Sequence, residues 1–262
     1  MVGATPAGIA SEVLSVMGSI SPVMSMFINL TFGFGLVTLL VFAVVKFREK
    51  RDIADLGFFN EGAVKNYLFG FGLRLAMLGA AALIVYLAGG LRLVQGVEAV
   101  GFHMVPSILF LLIGWIIQGG TEEVFTRDWM LPLLGKNYGV PAAISITSVF
   151  FMAMHSQNNG VTAIPLMKLV LFGVFAALYV VQTKEPWGMH SARNWMQGNI
   201  IGVEVSGSTR PGGSLIKLTA QGNDLISGGG FGIEGSLVCT LIFGGASVYL
   251  LMRILKTKAV VD

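Results

Sequence analysis

The chain has 262 residues, 54% of them hydrophobic and only 12% charged, with a formal net charge of +3 and a mean hydropathy of +0.77. Soluble globular domains carry about 25% charged residues, so half that density excludes an ordinary water-soluble protein. No basic stripe interleaves with aromatics, which argues against nucleic acid, and the single cysteine, Cys239, excludes a disulfide framework or a thiolate zinc site within one chain.

Residues 1–21 hold no Lys or Arg. A cleaved secretory signal has a positive region ahead of its apolar stretch, so this segment reads as a surface element leading into the first span. Apolar stretches long enough to cross a bilayer, roughly 17 to 25 residues, recur near 22–45, 67–89, 104–120, 139–155, 161–182, 186–203 and 235–252. They are apolar all round and tolerate glycine, which favours helices over a barrel. The expected fold is therefore an all-α, polytopic transmembrane helical bundle of about seven spans (six to eight), with 22–262 as one integral membrane domain.

Lys46, Arg48, Lys50, Arg51 and Lys65 crowd the first connection, and Arg253, Lys256 and Lys258 close the chain. Positive residues favour the cytoplasmic side. The expectation is a multi-pass protein of the cell membrane, with lipid as its surroundings and the first loop and C-terminus cytoplasmic. The stretch 204–232 is rich in Gly and Ser; its "SLIKLT" and "DLISG" segments are expected to pair as a small hairpin.

Within the third span the segment "GGTEEVFTRD", 119–128, places Glu122, Glu123 and Arg127 directly after sixteen almost wholly apolar residues. Ionisable groups in a span cost about 2.5 to 3.5 kcal/mol each, and they mark function by default. Glu123 and Arg127 are four apart with the acid first, the favourable order for a helical ion pair. Glu122 points about 100° away, on a face with Gln118 and Thr126, and has no cation of its own. One carboxylate is thus neutralised and the other left as a candidate general base. The competing reading is an ion-pair cluster that locks two helices together.

His155 ends the apolar "SVFFMAMH", with Thr147 and Ser148 on roughly its face. His190 and Asn194 lie four apart in "HSARNWMQG", on one stripe extended by Gly198 and Gly202, which suits a close helix approach. A lone buried histidine is usually packing, but Glu, two His and Asn spread over three spans suggest a common site. Zinc-protease H-E-x-x-H and nucleophile-elbow G-x-S-x-G sequences are missing. What remains is Glu and His around a water, with further donors for an oxyanion.

"EEVFTR" (122–127), "FMAMH" (151–155) and "HSARN" (190–194) read as E-E-x-x-x-R, F-x-x-x-H and H-x-x-x-N. In this order on successive spans they resemble the family of CAAX prenyl proteases and bacteriocin-processing (Abi) proteins, known as CPBP. That family includes the Rce1-like intramembrane glutamic endopeptidases. "GGGFGIEGSL" ahead of the last span resembles the C-terminal pattern of bacterial members, so the motif core covers 119–237. The resemblance implies a peptidase acting on a membrane-associated peptide or protein substrate. It implies that Glu122 with His155 activates water, that Glu123 and Arg127 support, and that His190 and Asn194 hold the oxyanion. No cofactor is required in that scheme, although Glu122, His155 and His190 also make an acceptable zinc set.

A proton-coupled carrier and an inactive membrane scaffold or immunity protein stand as alternatives. Neither repeat symmetry nor paired broken helices favour the carrier. Oligomeric state is left open. Arg193, a charge outside the family pattern, is expected to face the loop or to pair with Glu185 or Glu204. One expectation is in conflict with the others. If the connections at 135–138 and 183–186 share a side, His155 lies roughly 25 Å from that face and His190 within two turns of it. Either the spans are kinked and tilted, with Pro132 and Pro141 as candidate causes, or the span boundaries differ from those given above.

Overall fold

A computed structural model of the protein describes residues 21–57, 62–183, 187–208 and 212–258. The N-terminal segment, apart from Ser21, lies outside these residues. Among the described residues, seven longer helices follow one another: α1 (Pro22–Arg48), α2 (Ala63–Leu87), α3 (Phe102–Tyr138), α4 (Val140–Met154), α5 (Ala163–Thr183), α6 (Trp187–Trp195, continued by the π turn Met196–Ile200) and α7 (Leu237–Lys258). Among the described residues, α1, α2, α3, α5 and α7 are long and apolar enough to cross a membrane, and α4 and α6 are shorter. The chain is a membrane-embedded, multi-pass helical bundle.

Local chemistry starts these helices. Ser21 Oγ accepts from Met24 N at 3.3 Å with Pro22 in the first turn, a capped N-terminus. α1 then presents Phe32, Leu36, Leu39 and Leu40 outward, all exposed. Apolar surface of that extent marks contact with something other than water, and lipid fits a helix of this length.

α3 corrects one expectation. The span read as 104–120 continues as one 37-residue helix through the polar island to Tyr138. Hydropathy falls at Glu122, but the backbone ladder runs on, and Thr126 Oγ1 satisfies its donor within the helix by bonding Glu122 O at 2.5 Å. The ladder widens to a π turn over Val124–Met130, a form frequent at functional sites. The connection expected at 135–138 is helical, and the turn into α4 is Gly139 alone, with φ 82° and ψ 156°. Leu131 of α3, Ala143 of α4 and Ala177 of α5 pack beside it.

This hairpin removes the conflict in depth. Glu122 precedes Gly139 by 17 residues and His155 follows it by 16, so in two antiparallel helices they stand level. At 1.5 Å per residue α3 is roughly 55 Å long, well beyond a hydrocarbon core of about 30 Å. Part of the hairpin therefore lies outside the core or crosses it obliquely, and residue count from Gly139 is not membrane depth.

α6 threads the middle of the bundle, and Gly188 through Asn194 are all buried. Glycine makes this possible: a Cβ on Gly188 would strike the Tyr67 carbonyl of α2, and one on Gly119 of α3 would lie 3.0 Å from Ser191 N. The expected Gly198–Gly202 stripe is corrected at its far end. Gly202 lies past the helix at φ +63°, and its face meets Ile216 O and Ser214 Oγ rather than another helix.

The loop segments at 88–101, 155–162, 201–208 and 212–236 gather at the end opposite Gly139. There β1 (Leu91–Leu93) and β2 (Leu218–Ala220) pair antiparallel, with Arg92 opposite Thr219. This replaces the expected hairpin: "SLIKLT" finds its partner in another loop, and Asp224–Ser227 forms one helical turn capped by the Asn223 side chain. The core cluster between α2, α5, α6 and α7 includes Leu78, Phe172, Phe175, Phe243 and Cys239.

Candidate active site

Three helices deliver the motif residues. α3 brings Gln118, Glu122, Glu123 and Arg127; the C-terminal end of α4 brings His155; α6 brings His190 and Asn194. His155 Nε2 lies 3.8 Å and His190 Nε2 3.5 Å from Glu122 Oε2. All four residues read as catalytic from sequence, and both supporting ones, meet in one place.

Glu123 is 1% exposed and Arg127 likewise. Arg127 Nη1 donates to Glu123 Oε1 at 3.3 Å and to Thr126 Oγ1 at 2.6 Å. His190 Nδ1 bonds the same Glu123 oxygen at 2.6 Å. A carboxylate accepts, so Nδ1 carries the proton and Nε2 faces Glu122. His155 Nδ1 donates to Phe151 O at 2.9 Å, which fixes that ring in the same way. Both imidazoles therefore aim Nε2 at one carboxylate oxygen.

Gln118 is the member that sequence reasoning left without a role. Its Nε2 donates to Glu122 Oε1 at 2.5 Å, and its Oε1 accepts from Asn194 Nδ2 at 2.6 Å. The carboxylate orients the amide, and the amide in turn orients Asn194. The only sequence signal was its place one turn before Glu122. Phe151, the first residue of F-x-x-x-H, is fully buried. Its ring lies against His155 (centroids 4.6 Å apart), edge-on to His190, and under the Arg127 guanidinium at 4.6 Å. Thr147 and Ser148 bond back to Ala143 O and Ile144 O of their own helix, so neither holds His155.

Arg193 is buried and pairs with Glu234, within "FGIEGS", through both Nε and Nη2. This corrects the expectation for Glu204; Glu185 lies outside the described residues. Arg193 Nη2 and Glu234 Oε1 also share Ser206 Oγ, at 2.7 Å each, and Asn158 Nδ2 donates to Ser206 O at 2.8 Å. The long loop is thus pinned onto α6 beside the site.

A cavity of about 390 Å³ opens onto these groups, with Gln118, Glu122, His155, His190 and Asn194 on its polar side and Phe34, Val37, Phe125, Phe150 and Met154 on its apolar side. Val37 and Phe150 are partly exposed at the outer surface of α1 and α4. Among the described residues, Glu122 Oε2, His190 Nε2 and Asn194 Oδ1 are buried without a hydrogen-bond partner. A buried polar atom without a partner calls for a specific explanation, and these three face the cavity. Among the described residues no cluster of His, Cys, Asp or Glu has the arrangement of a metal site.

Fold and site together define a class: a multi-pass membrane protein with carboxylates, imidazoles and an amide converging on an internal cavity. The chain's comparison with known families is specific about which. Residues 104–196 match the family described as type II CAAX prenyl endopeptidase, Rce1-like. That segment holds every motif residue from Glu122 to Asn194, and the matched family is of the kind that the three motifs resemble. No curated protein and no solved structure matches the chain.

Proposed function

We propose that the protein is an intramembrane glutamic endopeptidase that cleaves membrane-associated peptides or proteins with a water activated by Glu122 and His155. The observation that carries this is the convergence of His155 Nε2 and His190 Nε2 on the unpartnered Oε2 of Glu122, at the polar wall of a cavity with apolar sides.

Glu122 Oε2 takes a proton from the water while His155 Nε2 accepts its second hydrogen bond. The hydroxide oxygen adds to the substrate carbonyl carbon. His190, fixed through Nδ1 by Glu123, and the free N–H of Asn194 hold the oxyanion. Glu122 then passes its proton to the amide nitrogen as the C–N bond breaks. Each oxyanion donor contributes about 2.7 to 4 kcal/mol to such a barrier. Preorganisation comes from Gln118, Glu123, Arg127 and Phe151, which leave the reacting groups few rotamers. The scheme requires no metal.

Charge supplies the orientation. Trp129 Nε1 bonds Glu49 at 2.8 Å, so the first loop sits at the Gly139 end of the bundle. Lys46, Arg48, Lys50, Arg51 and Lys136 lie there, and α7 runs toward it with Arg253 and Lys256. The opposite end carries Arg92 and Lys217 among its described residues. By the positive-inside rule the Gly139 end is cytoplasmic. The loop residues that wall the cavity, Asn158, Ser206 and Ser208, belong to the other end. The substrate therefore reaches Glu122 from the lipid or from the non-cytoplasmic side.

The test compares new protein N-termini in membranes of two strains, one with this protein and one with an equal, folded amount of Glu122→Gln. Cleavages present only with Glu122 name the substrates. Identical sets of termini sink the peptidase reading and favour an inactive scaffold.

A further inference from the structure

Behind the site, on the far side of Arg193, lies a second and much smaller cavity. It is lined by Arg74 of α2, Lys168 and Phe172 of α5, Arg193 of α6, Glu234 and Phe243. Three cations and one carboxylate make up its charged wall. Glu234 is committed to Arg193, and Lys168 Nζ donates to Gly235 O. Arg74 is different. It is 0% exposed, halfway along a membrane-crossing helix, and Nε, Nη1 and Nη2 all have no hydrogen-bond partner among the described residues. Its guanidinium lies over the Phe243 ring at 4.1 Å and near Phe172 at 5.3 Å.

Aromatic faces attract a guanidinium, but they do not replace its five donors' acceptors. A buried charge that is neither paired nor hydrogen-bonded is strongly disfavoured. Here a second guanidinium, Arg193, and an ammonium stand in the same wall. A water in the cavity would accept from Arg74 without offsetting the excess positive charge; an anion does both.

Size selects the anion. The cavity holds about 20 Å³, and roughly 10–15 Å³ accommodates one water-sized particle. A monatomic halide is of that order, whereas phosphate, a carboxylic acid or a lipid headgroup is too large.

We infer that Arg74, with Lys168 and Arg193, forms a structural halide site that binds chloride inside the bundle. Bound chloride neutralises the Arg74 side of the cavity and leaves Glu234 free to hold Arg193 and Ser206. The chloride thus ties α2 and α5 to the loop beside the candidate active site. The proposal does not depend on peptidase activity.

The experiment is thermal unfolding of the purified full chain in detergent, in chloride and in gluconate at matched ionic strength. The midpoint should rise steadily with each tenfold increase in chloride above saturation, bromide should substitute, and gluconate should give no such rise. Arg74→Met, which keeps the length and removes the charge, should be at least as stable as the parent in gluconate and show no chloride response. Equal midpoints in chloride and gluconate, or an undiminished chloride response in Arg74→Met, overturn the proposal. Should that variant fail to fold, chloride NMR linewidth on the unaltered protein decides: broadening reversed by bromide supports the site, and no broadening refutes it.

Discussion

Glu123 is predicted to do two separable things, and a double-mutant cycle with Arg127 distinguishes them. Its Oε1 receives Arg127 at 3.3 Å and His190 at 2.6 Å in a place where both partners are about 1% exposed. At an effective dielectric of about 20, unit charges 3.3 Å apart attract by about 5 kcal/mol. Breaking a buried pair by removing one member costs about 3–5 kcal/mol, because the survivor is left uncompensated. Arg127 is poorly placed to find another partner, since its Nε and Nη2 have none among the described residues. Glu123→Leu should therefore lower stability by about 3–5 kcal/mol. Arg127→Met should cost about as much, and the double variant should recover most of the loss, since neither charge is then stranded. Activity should not follow stability. In the double variant His190 Nδ1 still lacks its acceptor, so peptide cleavage stays at least about 100-fold down, the scale of a misplaced catalytic group. Denaturant or thermal unfolding in detergent gives the first quantity, and cleavage of a membrane-anchored reporter peptide the second. A coupling energy near zero would refute the ion-pair argument. A double variant that regained full cleavage would refute the positioning role of Glu123 toward His190.

Gln118→Leu removes the link between Glu122 and Asn194 while leaving the ion pair alone; cleavage should fall about 10- to 100-fold with the unfolding midpoint little changed, and Gln118→Glu should not restore it. Strong chelators should leave cleavage intact, since the proposed scheme runs on Glu122 and His155; loss on chelation with recovery on zinc would replace that scheme. In a Cys239→Ser background, a cysteine at Asp52 should react with an impermeant thiol reagent only after the membrane is opened, and one at Gln221 should react in intact cells; the reverse pattern would invert the orientation. Asp52 is the exposed partner of Lys46, whose ammonium hydrogen-bonds it at 2.9 Å and holds its carboxyl below the usual range. That pair's contribution is present above the ordinary aspartate value and lost as pH falls through the lowered one. Because both groups face solvent it is small, and Asp52→Asn should leave the unfolding midpoint almost unmoved at any pH.

The apolar stretches of α1, α2, α3, α5 and α7 were legible because burial in lipid is written residue by residue: a helix that faces hydrocarbon must be apolar all round. The stretches read as spans at α4 and α6 are shorter, and α6 is buried within the bundle. The pairing of Glu123 with Arg127 was legible because four residues is a helical turn, and the motif residues because chemistry restricts which side chains serve. Other features depended on distance in space. Nothing local told that α3 continues past Glu122, since hydropathy records solvent and the continuity is carried by the backbone ladder. Gln118 looked like any polar residue one turn before a glutamate until Asn194, 76 positions later, supplied its second bond. "SLIKLT" had a strand pattern but no mark of its partner at Leu91–Leu93, because strand pairing reads backbone and not side-chain identity. Glu234 and Arg193 are 41 residues apart, and Arg74 meets its aromatic neighbours only through the packing of α2 against α5 and α7. Composition set what the helices are made of and which solvent they face; the glycine contacts at Gly119 and Gly188 set how closely α6 enters, and that closeness brings Glu122, His155 and His190 to one oxygen.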